Sequence, residues 1–170
     1  MTPRNRLQGT RADGQLLPAF WQAAVAARSS GGHEEIFGDA RSVFTETTLL
    51  RLQDHCTDQA LSVPILFTER LSNRVLSVCI GFRDGTQVVA VNARFKSDPE
   101  LIAHMLVEEF VHAQQRLDGV DFDEQRRKYS YEDRPYEQEA KQIATDTLGY
   151  SPEGYDVILS RDEPSDVLDR

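Results

Sequence analysis

Ser97-Asp98-Pro99-Glu100-Leu101-Ile102-Ala103-His104-Met105-Leu106-Val107-Glu108-Glu109-Phe110-Val111-His112-Ala113-Gln114-Gln115-Arg116-Leu117 runs without a helix breaker after Pro99. Ser97 with Glu100 three residues on fits a capping box, and Asp98 before Pro99 offers a competing N-cap with proline at the first helical position. Gly119 supplies the stop. The spacing therefore predicts one long helix from about residue 98. Ile102, Leu106, Ala113 and Leu117 form the stripe expected to face the core, with Leu101 and Met105 widening it.

Glu108, Glu109 and His112 fall in the middle of that apolar segment. An ionised carboxylate in such a place costs several kcal/mol unless a cation or a donor compensates it, so the placement calls for a partner. Positions 108 and 112 lie one turn apart on one face, the separation at which two side chains can grip a single metal ion. Position 109 is rotated by roughly 100° and points beside such an ion. His104 offers a rival pairing with Glu108, but it lies about 12 Å along the axis from His112, too far for both rings to share an ion.

Upstream of this helix, Leu61 to Thr68 and Arg74 to Phe82 are rich in Val, Ile, Leu and Phe, and Asp84-Gly85 is the dipeptide of a tight hairpin turn. Thr86 to Asn92 then pairs back as a third strand, giving a small, mostly antiparallel sheet. Val43 to Asp58 suits an amphipathic helix that opens the core. Downstream, the polar stretch from Asp121 to Tyr131 reads as a loop or short turn, and Arg134-Pro135 starts a second helix that runs to Leu148 and closes at Gly149. The fold class expected is α+β, with one domain over residues 33–150. Residues 1–32 read as a flexible, loosely attached arm with one short helix around Pro18 to Arg28, either docked on the body through Phe20 and Trp21 or exposed, and residues 151–170 as a solvated acidic tail.

Val107-Glu108-Glu109-Phe110-Val111-His112-Ala113 resembles the active-site helix of zincin metallopeptidases, whose motif is His-Glu-x-x-His, with Glu108 standing where the first histidine is expected. The strand Gln87 to Asn92, running into Asn92-Ala93-Arg94-Phe95, resembles the sheet edge that precedes this helix in minimal zincins. Arg134-Pro135-Tyr136-Glu137-Gln138-Glu139-Ala140 resembles the second helix of gluzincin-like families, including the ImmA/IrrE type, where a glutamate is the third ligand. The resemblance covers roughly residues 75–148. It implies a minimal zincin fold with one divalent metal held by Glu108, His112 and Glu139, Glu137 being the reserve for the third place. It further implies Glu109 as the general base that takes a proton from metal-activated water attacking an amide carbonyl. Tyr129, Tyr131 or Tyr136 would donate to the developing oxyanion, and Asp146 would orient His112.

One imidazole and two carboxylates accept zinc but also suit manganese or iron. Two anionic ligands also cancel the charge of a divalent ion and make it a weaker Lewis acid. The leading expectation is a zinc-dependent hydrolase of peptide bonds with a protein or peptide substrate. The substitution at position 108 makes a catalytically inactive, zincin-like binding or regulatory domain the alternative. A purely structural α+β domain with solvated carboxylates is the third reading.

Composition narrows the partners. With 170 residues, 39% hydrophobic and 28% charged, the chain has the make-up of one globular domain. Its net charge of -9 disfavours nucleic acid as a partner. No run of about 18 apolar residues exists to span a membrane, and no convincing signal-peptide core is present, so a cytoplasmic location is expected. Cys56 and Cys79, the two cysteines, read as buried small hydrophobes rather than a disulfide framework. Glu109-x-x-His112 alone could belong to a di-iron carboxylate site, but the second such element that this design needs is missing.

Overall fold

Strand-forming runs of Val, Ile and Phe assemble here around the one helix that the sequence marks most strongly. The computed structural model describes residues 15–29, 34–72, 75–94, 99–152 and 167–168. In chain order the elements are α1 (Pro18–Ser29), β1 (Glu35–Gly38), α2 (Ala40–Val43), α3 (Glu46–Leu52), α4 (Asp58–Leu61), β2 (Ile65–Thr68), β3 (Ser77–Phe82) and β4 (Gln87–Asn92). They continue with α5 (Pro99–Leu117), α6 (Phe122–Lys128), a 3-10 turn (Tyr131–Asp133), α7 (Pro135–Leu148) and β5 (Val167–Leu168). The architecture is α+β, and among the described residues no helix is long and apolar enough to cross a membrane.

The sheet has the order β1-β2-β4-β3-β5. β3 and β4 form the antiparallel hairpin expected around Asp84-Gly85, with Gly85 at a positive φ of 87°. β2, however, runs parallel to β4, so the sheet is mixed rather than mostly antiparallel. The physical reason lies in β4: all six of its residues are buried, and a strand with no face for water takes a central place. The hairpin therefore folds back to insert β4 beside β2 and leaves β3 outside it.

Three further expectations change. The helix read over Val43 to Asp58 is three short helices, because Thr45 and Thr57 sit in extended conformations at N-cap positions and the intervening Gln53, Asp54 and His55 are exposed. The stretch read as a loop after Asp121 contains α6, whose Asp121 side chain accepts from the Glu124 N–H at 3.0 Å. With Phe122 as its one buried residue, α6 has no apolar periodicity to betray it. At the C-terminal end, Val167 and Leu168 pair in parallel with Gly81 and Phe82, while most of the stretch read as a tail lies outside the described residues.

α1 is not a loosely attached arm. Phe20 and Trp21 are fully buried, and Phe20 stacks on Phe67 of β2 with ring centroids 5.8 Å apart. Trp21→Ala should accordingly cost about 3–5 kcal/mol, read as a lowered urea midpoint; unchanged stability would mean that α1 is dispensable to the core.

α5 is the centre of the molecule. The cap residues Ser97 and Asp98 lie outside the described residues, but the helix begins at Pro99 and is followed by Gly119 at a φ of 86°. It packs against α7, β3, β4 and α4, so every residue from Leu101 to Val111 is buried and the expected stripe becomes a nearly continuous apolar surround. Beyond that stretch it reaches water in part, at Glu100 before it and at His112, Gln114, Arg116 and Leu117 after it. Glu108 and Glu109, between these ends, are enclosed.

Candidate functional site

Helical spacing delivers Glu108 and His112 to one face of α5, and α7 crosses that face with its first turn. Pro135 at the start of α7 sets the helix so that Tyr136 and Glu137 point inward. Nε2 of His112 stands 3.3 Å from Oε2 of Glu137. The Tyr131 hydroxyl donates to the same oxygen at 3.4 Å. Glu139, the carboxylate that the resemblance assigned as third ligand, is exposed, because two residues of helix turn it about 200° away from the inward face. Glu137, the reserve candidate, is the carboxylate that faces His112.

Glu109 faces the sheet instead of α7: the Ser77 hydroxyl at the start of β3 donates to its Oε1 at 3.2 Å. The other ring nitrogen of His112, Nδ1, lies 2.8 Å from Oε1 of Gln115. Asp146, expected to orient this ring, is exposed and accepts from Gln142 at 2.9 Å, one turn back on its own helix. Tyr136 is buried with its ring edge-on to His112 at 5.5 Å, and Phe122 closes the other side at 6.2 Å. Tyr129 is 42% exposed. Of the three tyrosines considered, Tyr131 is thus the one whose hydroxyl reaches a site carboxylate in the described contacts.

Glu108 is the anomaly. It is 1% exposed, and neither carboxylate oxygen has a hydrogen-bond partner among the described residues. The rival pairing with His104 does form as a contact, with Nδ1 3.5 Å from Oε2, but without hydrogen-bond geometry. Nε2 of His104 is engaged by Thr145 Oγ1 at 3.1 Å. Buried polar groups are overwhelmingly paired, so an orphaned carboxylate at the heart of a core requires a compensating partner.

The electrostatics say what the protein alone would do. Burial, reinforced by the charge of Glu137, pushes the Glu108 carboxyl well above the usual carboxylate range and favours its neutral form. Burial likewise lowers His104 to about 4, so that ring is neutral. Burial by itself would lower His112, yet the Glu137 carboxylate, its hydrogen bond and the neighbouring Glu109 outweigh it and raise the imidazole to about 10. Burial would raise Glu137, but His112, Lys141 and Arg134 together hold it below its ordinary value. Without a cation, then, the cluster balances its charge with protons on Glu108 and His112. The cysteines stand apart: both are free and buried, and burial pushes the Cys56 thiol up to about 12, far from a reactive thiolate.

The donor set fits a divalent ion in chemistry: two carboxylates and an imidazole whose protons are the kind that a metal displaces. The 3.3 Å between His112 Nε2 and Glu137 Oε2 is longer than a strong charge-assisted hydrogen bond. It matches the separation, about 3.3 Å, of two ligands on a tetrahedral ion. Among the described residues no group of three or more His, Cys, Asp and Glu side chains is already gathered around a common point, so the third ligand would have to turn in. No protein-family profile, curated protein or solved structure matches this chain.

Sequence reasoning missed Ser77 and Gln115. Gln115 carries a usable signal, since it stands three residues after His112 and so shares its helical face. Ser77 carries none, because its meeting with Glu109 spans 32 residues of chain.

Proposed function

We propose that the protein is a divalent-metal-dependent hydrolase of peptide bonds, with Glu108, His112 and Glu137 holding the ion and Glu109 beside them. The observation that carries this reading is the buried Glu108 carboxylate with two unpartnered oxygens next to the His112–Glu137 pair. A supporting observation is order along the chain: strand, helix with Glu108, Glu109 and His112, then a helix with Glu137, which is the order that the resemblance to minimal zincins requires. Zinc is the ion best suited to four-coordinate nitrogen and oxygen ligation, with manganese and iron as substitutes.

A divalent ion there supplies Lewis acidity to a hydrolytic water. The residues do the rest. Glu109, held by Ser77, would serve as the base that takes a proton from the attacking water and passes it to the leaving amine. The Tyr131 hydroxyl, which donates to Glu137 in this structure, is the donor we assign to the charge that would develop on the substrate oxygen. The proposed substrate is a protein or peptide.

A second reading, a non-catalytic ion-binding or regulatory domain, is favoured by one observation: Glu108, Glu109 and Glu137 are all at most 7% exposed, which leaves a substrate little access. Zinc content does not separate these two readings, since both bind an ion, but it tests the site that they share. The wild-type protein should carry about one equivalent per chain, and Glu108→Gln should lose it. Because a neutral amide escapes the cost of keeping this carboxyl protonated above its ordinary pKa, the EDTA-treated Glu108→Gln protein should also melt above EDTA-treated wild type at pH 8. Equal zinc content in wild type and variant would remove Glu108 from the site and sink the proposal.

A further inference from the structure

We propose that Gln115 is the positioning residue of this centre, fixing which nitrogen of His112 faces Glu137 and any bound ion; the inference rests on the cation-site reading above. The Gln115 side chain is buried and makes two hydrogen bonds that leave its amide one orientation. Its Nε2 donates to the Tyr136 carbonyl at 3.0 Å, while its Oε1 meets Nδ1 of His112 at 2.8 Å. Reversing the amide would set Gln115 Oε1 against the Tyr136 carbonyl oxygen, two acceptors with no proton between them. The hydrogen-bond network thus assigns oxygen and nitrogen unambiguously.

With an oxygen facing the ring, Nδ1 of His112 must carry the hydrogen. Nε2 is then the nitrogen offered to Glu137 and to an ion, the division of labour found where a metal-binding histidine donates its second N–H to an outer oxygen. The same amide reaches the other helix. The Tyr136 carbonyl belongs to the peptide that leads into Glu137, and the Tyr136 N–H is itself held by Gln125 Oε1 at 3.0 Å. Two glutamines, one from α5 and one from α6, therefore clamp the first turn of α7 from both sides. Gln115 orients the imidazole and anchors the backbone that bears the opposing carboxylate in a single stroke.

The test uses the full chain labelled with nitrogen-15 at histidine, treated with EDTA and then titrated with Zn2+. Wild type should show a His112 Nδ1–H that exchanges slowly with water, and Zn2+ should bind through Nε2. Gln115→Met, close in volume but without an acceptor, should lose the slow exchange and weaken Zn2+ binding about 10–100-fold. Gln115→Glu, which still presents an oxygen to the ring, should keep the slow exchange and guards against a methionine variant that fails to fold. A Gln115→Met protein with protected Nδ1–H and wild-type zinc affinity overturns the assignment, as does a folded Gln115→Glu protein without protection. Wild type with a protected Nδ1–H but no affinity for Zn2+ refutes the cation site itself while leaving the orienting bond intact, so the two failures are told apart.

Discussion

Glu109→Gln should keep the zinc of the wild-type protein and lose peptide hydrolysis by on the order of 10²–10⁴-fold, the range expected for removal of a general base. The split between the two readouts follows from where the residue sits. Glu109 is turned toward the sheet and accepts from the Ser77 hydroxyl, so its amide analogue keeps the shape and that hydrogen bond while giving up the basic oxygen. Zinc content by elemental analysis and turnover of a quenched-fluorescence peptide library measure the two effects on the same preparation. Hydrolysis at the wild-type rate in Glu109→Gln would remove this residue from the mechanism. Zinc-loaded wild type that cleaves nothing in the library would move the protein to the non-catalytic reading.

The second large effect is on stability against pH. In EDTA-treated protein the folded state raises His112 from 6.5 to about 10. Stability from that imidazolium is fully present below pH 6.5 and is lost as pH rises through about 10. Glu108 is raised as well, so the folded state favours its neutral form. Above pH 4.5 the unfolded chain ionises at this position while the folded chain resists, and stability falls further with rising pH. Glu137 is lowered and works in the opposite sense, contributing stability above pH 4.5 that is lost as pH falls. His104, lowered to about 4, also contributes stability that is lost as pH falls from 6.5 through about 4, and between pH 4.5 and 6.5 this offsets the loss at Glu108. The maximum should therefore lie in that range, with a decline of several kcal/mol toward pH 10 at roughly 1.4 kcal/mol per unit of differential protonation. Saturating Zn2+ binds the deprotonated ligands and should stabilise more as pH rises, opposing the decline. Urea midpoints from pH 5 to pH 9.5, with and without Zn2+, give the comparison. A flat profile in EDTA, or the same slope in His112→Gln as in wild type, would show that these groups do not control stability.

The parts of this site that were legible from sequence are the local ones. Helix position follows from intervals of three and four residues, so the placing of Glu108 and His112 on one face, the sideways direction of Glu109 and the His104 contact can all be derived from numbers alone. The third carboxylate could not be placed as firmly. Glu137 and Glu139 lie on one helix two residues apart, which is more than half a turn, and the face that α7 presents to α5 is set by packing. Tyr136, wedged against His112 and Phe122, is what turns Glu137 inward and Glu139 out. Ser77 and Gln125 were equally out of reach, because each meets its partner across a stretch of chain that only the sheet and helix arrangement closes.

For the same reason the sequence by itself determined the central helix, its stop at Gly119, the hairpin at Asp84-Gly85 and the second helix between Pro135 and Gly149, all of which rest on local turn and capping chemistry. Tertiary structure alone decided that β4 lies between β2 and β3, that α1 is part of the core, and that the long helix is buried without a break from Leu101 to Val111. That enclosure is the physical fact on which the functional reading turns. A glutamate on an amphipathic helix can usually find water, whereas Glu108, on a helix packed between α7 and the sheet, has no hydrogen-bond partner for either oxygen among the described residues.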